Sequence, residues 1–147
     1  MSIIYINTDG GARGNPGPAG IGVVFFDATG NEIYSHKEYI GRATNNQAEY
    51  KAIIKALNII IKSKWFDKHQ GKGEAKIVCR LDSQLVVEQL CGNYKVKNGN
   101  ISELANEAKL LINKIQINIE FVHVKREENK IADKLVNKAI DQHLKTK

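Results

Sequence analysis

The chain has 147 residues, the usual size of one domain, and its 42% hydrophobic and 26% charged residues are typical of a globular protein rather than a disordered one. Its 22 basic and 16 acidic residues give a net charge of +6, which suggests a polyanionic partner but does not establish one, because solvated lysine faces are common. Two cysteines are too few for a disulfide framework, and no segment resembles a signal peptide or a membrane span. We therefore expect a cytoplasmic protein with one domain over residues 1–147.

The first half of the chain predicts three strands and a long helix. β-Branched and aromatic residues predict the strands, at residues 3–9, 19–26 and 32–40. Turn residues separate them at 10–17 and 27–31, and because short turns join antiparallel neighbours, we expect the sheet to begin antiparallel. Thr44 and Gln47 have the spacing of a capping box, and the good helix formers that follow predict a helix over 48–61.

The second half of the chain mixes strands and helices. Apolar patterning predicts strands at residues 76–81 and 117–124. The same patterning predicts three helices, at residues 83–91, 101–115 and 127–144. The resulting order β-β-β-α-β-α-α-β-α predicts an α/β fold with a mixed five-stranded sheet, its first three strands antiparallel, and helices on both faces.

Residues 62–76 form a lysine-rich connection between the first helix and the fourth strand. The segment holds five lysines together with Trp65 and Phe66. One interpretation is a solvated loop with the two aromatic side chains packed beneath it, and the other is a binding surface for nucleic acid. The composition favours the first interpretation and leaves the second open.

Four carboxylates stand out because of their positions. Asp9 and Asp82 end predicted strands, Glu49 lies on the sheet-facing side of the first helix, and Asp133 lies in the first turns of the last helix. In α/β sheets, functional sites gather at strand ends and helix N-termini. Clustered carboxylates repel one another unless cations such as Mg²⁺ neutralise them, and two such ions suit phosphodiester hydrolysis. Each residue alone also has an ordinary interpretation: Asp9 and Asp82 as caps of a turn and a helix, and Asp133 as an exposed helix charge.

The glycine-rich stretch DGGARGNPGPAGIG does not fit two common nucleotide-binding motifs. It lacks the Gly-Lys-Ser/Thr ending of a P-loop, and it leads into a strand instead of the helix that a dinucleotide fingerprint opens. We therefore expect a tight turn that brings the backbone close to a bound polymer.

Four segments of the chain resemble the motifs of the type 1 ribonuclease H family. They are, in chain order, TDGGARGNPGPAG, TNNQAEY, LDSQLVVEQL and HVKREENKIADKLVNKA. Each segment carries one of the four carboxylates, and the resemblance covers nearly the whole chain. It implies an α/β ribonuclease H-like fold and a single ribonuclease H catalytic domain, with no separate hybrid-binding domain.

The resemblance implies an endonuclease that cuts the RNA strand of RNA–DNA hybrids and leaves 5′-phosphate and 3′-hydroxyl ends. Asp9, Glu49, Asp82 and Asp133 match the family's metal-binding acids, with Asp9 bridging two Mg²⁺ or Mn²⁺ ions. His123 matches a family histidine thought to help move protons or release product, and a structural role at a strand end is the alternative. No obligatory protein partner is evident.

The resemblance also implies substrate contacts, because amide side chains can hydrogen-bond to the 2′-hydroxyl that distinguishes RNA from DNA. The expected RNA-strand contacts are the side chains of Asn15, Asn45 and Gln84 with backbone groups near Gly10 and Gly11. Contacts to the other strand are expected from Asn46 and, around a phosphate, from Arg42, Thr44 and Asn98. Ser83, beside Asp82, completes the set, and Thr44 has helix capping as its alternative or additional role.

The chain departs from some family members in one element. Those members grip the hybrid with a basic, tryptophan-rich helix and loop, where this chain has only CGNYKVKNGN. Two other functions remain open: a non-catalytic nucleic-acid-binding module of the same fold, and a broader nuclease that also cuts double-stranded RNA. The complete set of acids counts against the first, because carboxylates without a metal would weaken binding to phosphates.

Overall fold

A computed structural model describes residues 2–97 and 99–145 of the chain. The strands are β1 (Ser2–Ala12), β2 (Gly17–Phe26), β3 (Glu32–Ala43), β4 (Ala75–Leu81) and β5 (Asn118–His123). The helices are α1 (Asn45–Ile61), α2 (Lys64–His69), α3 (Gln84–Leu90), α4 (Gly99–Lys114) and α5 (Lys130–Lys145), with a 3₁₀ turn at Arg126–Glu128. Within the two described ranges, no helix has the length and apolar character that crossing a membrane requires.

The five strands form a mixed sheet in the order β3-β2-β1-β4-β5. β2 pairs antiparallel with both β1 and β3, whereas β4 pairs parallel with both β1 and β5. This arrangement confirms the predicted fold class. The carboxyl ends of β1, β4 and β5 therefore lie at one edge of the sheet. Since Asn7 pairs with Arg80, Asp9 and Asp82 reach that edge at the same level.

Helices cover both faces of the sheet, as the order of elements predicts. A Cβ added to Gly10 would overlap the backbone of Ala48 in α1, whereas one added to Gly11 would lie 3.7 Å from Val136 in α5. Successive residues of a strand face opposite sides, so α1 and α5 lie on opposite faces. The missing side chain at Gly10 allows the start of α1 to lie directly against β1.

The main hydrophobic core lies on the α1 face of the sheet. Ile6, Ile77, Leu57 and Ile60 are each at most 1% exposed and belong to one cluster with residues of α4. Burying each such side chain contributes about 1.5–3 kcal/mol, which determines the face of α1 that turns inward. Glu49 lies on this same face, four residues before Ile53 and eleven before Ile60, so packing of the core carries it to the sheet.

Several elements differ from the sequence-based expectation, and three of these differences bear on the site or the lysine-rich connection. The lysine-rich connection is not a loop throughout, because Ser63 accepts the Phe66 N–H at 3.1 Å and caps the short helix α2. The aromatic packing expected there is confirmed, since Phe66 is buried and Trp65 packs against the core. The glycine-rich turn is shorter than residues 10–17, because the β1–β2 ladder continues to Ala12. The last helix begins after the 3₁₀ turn, three residues later than predicted.

Candidate active site

Three carboxylates from distant parts of the chain converge at the carboxyl edge of the sheet. Asp9 lies in β1, Glu49 in the first turns of α1, and Asp82 directly after β4. Each offers one oxygen atom, and these three oxygens all lie within 4.8 Å of one another. Asp9 and Glu49 are only 6% exposed, and Asp82 is half-buried. The parallel pairing of β1 with β4 and the close packing of α1 on Gly10 produce this convergence.

Among the described residues, only one of the two Glu49 carboxylate oxygens has a hydrogen-bond partner. Its Oε1 accepts the backbone N–H of Gly10 at 3.1 Å, and its Oε2 is buried with no hydrogen-bond partner among the described residues. A buried carboxylate oxygen without a partner costs free energy, which a bound cation would offset. Carboxylate oxygens are the ligands that Mg²⁺ prefers, so this donor set fits a divalent cation.

Burial raises the pKa values of all three clustered carboxyl groups, and repulsion from neighbouring carboxylates of the cluster adds to the rise for Asp9 and Glu49. Burial, followed by the charge of Asp82, raises the pKa of Asp9 to about 7. Burial and the neighbouring Asp9 raise the pKa of Glu49 well above its ordinary value, and burial also raises the pKa of Asp82. Without a cation the cluster therefore retains protons near neutral pH, and a divalent cation would displace them.

Asp133 borders the same cavity but stands outside the group of three oxygens. It lies in the first turn of α5, and its Oδ1 is 3.8 Å from Nη2 of Arg126. The charge of Arg126 also lowers the pKa of Asp82, against the larger effect of burial. Sequence reasoning missed Arg126; its signal is a cation seven residues before Asp133, within the motif that carries this acid.

The carboxylates line an open cavity of about 500 Å³. The expected substrate residues on its wall are Gly10, Gly11, Asn45, Asn46 and Ser83. The wall also includes three polar residues that were not predicted from the sequence, namely Arg13, Arg126 and Asn137. The expected residues that do not line it are Asn15, Arg42, Thr44, Gln84 and His123. Asn98, also expected here, lies outside the described residues.

Two asparagines tie the β1–β2 turn to the start of α1. The Asn45 side-chain oxygen accepts the Ala12 N–H at 2.9 Å, and the Asn15 side-chain oxygen accepts the Asn45 N–H at 3.0 Å. Both side-chain oxygens are thus used within the protein. The amide NH₂ groups remain as donors, so these side chains are suited to bind acceptor oxygens of a ligand.

Helix capping accounts for two of the expected substrate residues. The Thr44 hydroxyl accepts the Gln47 N–H at 3.1 Å, and Gln47 in turn accepts the Thr44 N–H at 2.9 Å, which confirms the predicted capping box. Ser83 caps α3 by accepting the Val86 N–H at 3.3 Å. Since Ser83 is the cap, the interpretation of Asp82 as a helix cap is wrong, and its carboxylate is free to face the cavity.

His123 lies at the exposed end of β5, where it pairs with Leu81. Its positive charge would lower the pKa of Asp82, which places the imidazole near the cluster. It does not border the cavity itself. The assignment of a role in the reaction to His123 therefore stays a prediction.

The sequence is similar to that of a known protein family and several curated proteins. Residues 7–139, which include all four carboxylates, match the family described as reverse transcriptase-like. A bifunctional protein of Mycobacterium tuberculosis is 40% identical over 139 residues, 94% of this chain and 35% of that protein. A ribonuclease HI of Halobacterium salinarum is 38% identical over 138 residues, 94% of this chain and 64% of that protein. The chain thus spans 35% to 64% of the length of these curated relatives.

The fold is also similar to that of a solved structure. The crystal structure of LC11-RNase H1 in complex with an RNA/DNA hybrid superposes with a TM-score of 0.88 at 45% identity. The alignment covers 96% of this chain and 99% of that chain. LC11-RNase H1 was isolated from compost by a metagenomic approach.

Proposed function

Because the chain belongs to the type 1 ribonuclease H family, we propose that it is a metal-dependent endonuclease that hydrolyses the RNA strand of RNA–DNA hybrids. The observation that carries the proposal is the convergence of Asp9, Glu49 and Asp82, with one Glu49 oxygen buried and unpartnered among the described residues. The structure of LC11-RNase H1 with an RNA/DNA hybrid supports the choice of substrate. The proposed products carry 5′-phosphate and 3′-hydroxyl ends.

Asp9, Glu49, Asp82 and Asp133 would hold two Mg²⁺ ions, or Mn²⁺ ions in their place. When bound, the ions lower the pKa of an attacking water and stabilise the leaving 3′-oxygen. The Gly10 N–H orients Glu49 by binding its Oε1, and the Ser83 cap leaves the Asp82 carboxylate free. Asp9, Glu49 and Asp82 are carried by β1, α1 and β4, whose buried residues belong to the main core, and this limits the movement of these three acids during the reaction.

The charge distribution of the chain supports a polyanionic substrate. Outside the four acids, the chain has 22 basic and 12 acidic residues, so its surface is more basic than the net charge of +6 indicates. Lysine and arginine side chains that neutralise phosphates release counterions and supply much of the affinity for nucleic acid. Arg13 and Arg126 on the cavity wall are candidates for such contacts.

Discrimination of RNA from DNA would rest on the amide residues beside the carboxylates. The NH₂ groups of Asn15 and Asn45 would donate to 2′-hydroxyl oxygens, with Gln84 and backbone groups at Gly10 and Gly11 as further contacts. Asn46 would bind the DNA strand. A pocket for a DNA-strand phosphate would be formed by Arg42, Thr44 and Asn98. His123 would move a proton or assist release of the product.

A cleavage assay with three duplexes tests the proposal. The protein is incubated with labelled RNA–DNA hybrid, double-stranded RNA and double-stranded DNA, each with Mg²⁺ and with a chelator. We expect the hybrid alone to be cut, only with Mg²⁺, and Asp9→Asn to remove cutting while hybrid binding survives. The exposed Asp67→Asn is the matched control and should cut normally. Hybrid binding without metal-dependent cutting would overturn the proposal in favour of a binding module, and cleavage of double-stranded RNA as well would indicate the broader nuclease.

A further inference from the structure

Asn129 directly precedes α5, and its side chain binds a distant strand instead of capping the helix. A residue at this position commonly uses its side chain to cap the helix, which stabilises the first turn. The Asn129 Nδ2 instead donates to the backbone oxygen of Thr8 in β1, at 2.9 Å and across 121 residues of sequence. Asn129 is 0% exposed, so this hydrogen bond is fully buried. The side chain therefore joins the start of α5 to the strand that carries Asp9.

The backbone of Asn129 connects two further residues of the candidate site. Its N–H donates to the Arg126 carbonyl at 3.0 Å, and its carbonyl accepts the Asp133 N–H at 3.1 Å. Thr8, the side-chain partner, is the immediate neighbour of Asp9. One buried residue thus links the backbone at Arg126 and Asp133 to the backbone beside Asp9.

Stability alone is a poor reason for an asparagine at this place. Its Oδ1 is buried with no hydrogen-bond partner among residues 2–97 and 99–145. A buried polar atom without a partner costs at least as much free energy as one neutral hydrogen bond contributes, so the unpartnered Oδ1 offsets the gain from the hydrogen bond to Thr8. An amide retained here is better explained by the position it imposes on α5 than by its net stabilisation.

We propose that Asn129 is a positioning residue that holds the start of α5, and with it Asp133, beside Asp9, so that the Asp133 carboxylate can contribute to the proposed cation site. This inference rests on the proposed function. Asp133 needs such support because its side chain is 34% exposed and its ion pair with Arg126 is long, at 3.8 Å. Exposed ion pairs of this kind stabilise a protein little and do not fix a side chain by themselves. The position of the first turn of α5, which Asn129 sets, then determines where the Asp133 carboxylate lies.

Two substitutions separate the tether to Thr8 from ordinary helix stability. Asn129→Ser keeps a good capping residue, but its hydroxyl is one bond too short to reach the Thr8 oxygen. Asn129→Asp keeps the shape and replaces the amide donor by an oxygen that repels the Thr8 carbonyl. Ser63→Ala is the matched control, because it removes a capping hydrogen bond from α2 at the opposite end of α1 from Glu49.

Mg²⁺ binding is measured by calorimetry on each folded protein, together with kcat, KM for the hybrid and the Mg²⁺ concentration for half-maximal activity. Substitutions of residues that orient metal ligands typically weaken metal affinity or activity about 10–100-fold, and we expect a loss in this range for Asn129→Ser and Asn129→Asp. KM for the hybrid should change less than about twofold. Ser63→Ala should lose stability and keep wild-type Mg²⁺ affinity and kcat.

The outcomes for Asn129 and for the proposed function are distinguishable. If the wild-type protein cuts the hybrid and Asn129→Ser keeps wild-type Mg²⁺ affinity and kcat, Asn129 has only a structural role and the inference is overturned. If the wild-type protein does not cut the hybrid, the proposed function fails. The Mg²⁺ affinities of the wild-type protein and Asn129→Ser, measured by calorimetry, still show whether Asn129 supports cation binding. Should Asn129→Asp not fold, Asn129→Ser alone decides the question.

Discussion

Replacing Asp9 by asparagine should stabilise the metal-free protein at pH 8, although it removes the proposed activity. Burial and the charge of Asp82 raise the pKa of Asp9 from 3.8 to about 7 in the folded protein. A carboxyl group with a raised folded pKa binds its proton more tightly when folded. Its contribution to stability is therefore present below pH 4 and is lost as the pH rises toward 7. Asparagine stays neutral, so the variant does not undergo this loss.

The size of the effect follows from the shift in the pKa of Asp9. Each pKa unit corresponds to about 1.36 kcal/mol, so a rise of about three units costs the wild-type protein up to about 4 kcal/mol at pH 8. At pH 5 less than half of this loss has occurred, because most of the Asp9 carboxyl groups are still protonated in the folded protein. The stabilising effect of Asp9→Asn should thus be more than twice as large at pH 8 as at pH 5.

Urea unfolding followed by circular dichroism, with a chelator at both pH values, measures this difference. The control Asp67→Asn removes an exposed carboxylate and should change stability by less than about 0.5 kcal/mol at either pH. Mg²⁺ should then stabilise the wild-type protein and have little effect on Asp9→Asn, since ligands that bind only the folded state stabilise it. Destabilisation by Asp9→Asn at pH 8, or an equal gain at pH 5 and pH 8, would refute the explanation by burial and repulsion.

Three other variants test how the scaffold supports the site and whether the lysine-rich connection binds the substrate. Gly10→Ala should lower the free energy of unfolding in urea by about 3 kcal/mol or more, because the added Cβ overlaps the Ala48 carbonyl. A decrease of less than about 1 kcal/mol would contradict the close packing of α1 on β1. Leu57→Ala should lower the free energy of unfolding by about 2–5 kcal/mol, because it leaves a cavity at a fully buried position. The Mg²⁺ dependence of cleavage at 25 °C should stay unchanged. A shifted Mg²⁺ dependence would show that packing at Leu57 affects the position of the carboxylates. Substituting four lysines of the lysine-rich connection by alanine should leave the salt dependence of hybrid affinity unchanged. The reason is distance, because α2 begins after the end of α1, about 20 Å from Glu49. A weaker dependence of hybrid affinity on salt would instead favour the interpretation of this segment as a binding surface. These lysines are Lys62, Lys64, Lys68 and Lys72.

Local sequence signals predicted most of the elements correctly. The capping box at Thr44 and the β-branched runs act over a few residues, so they can be interpreted without knowledge of the fold. The helix α2 was missed because its six residues are too short to show helical periodicity, although Ser63 supplied a capping signal. The extent of the glycine-rich turn was overestimated because a glycine indicates a turn by itself and a close approach to a helix only in context.

The sequence by itself determined the fold class, the family resemblance and the four acids, because these depend on local patterns and on motif order. Only the tertiary structure brought the oxygens of Asp9, Glu49 and Asp82 within 4.8 Å of one another and raised the pKa values of their carboxyl groups. It alone placed Arg126 on the cavity wall and joined Asn129 to Thr8. Burial and hydrogen bonding between segments far apart in sequence depend on how strands and helices pack, and no local pattern encodes them.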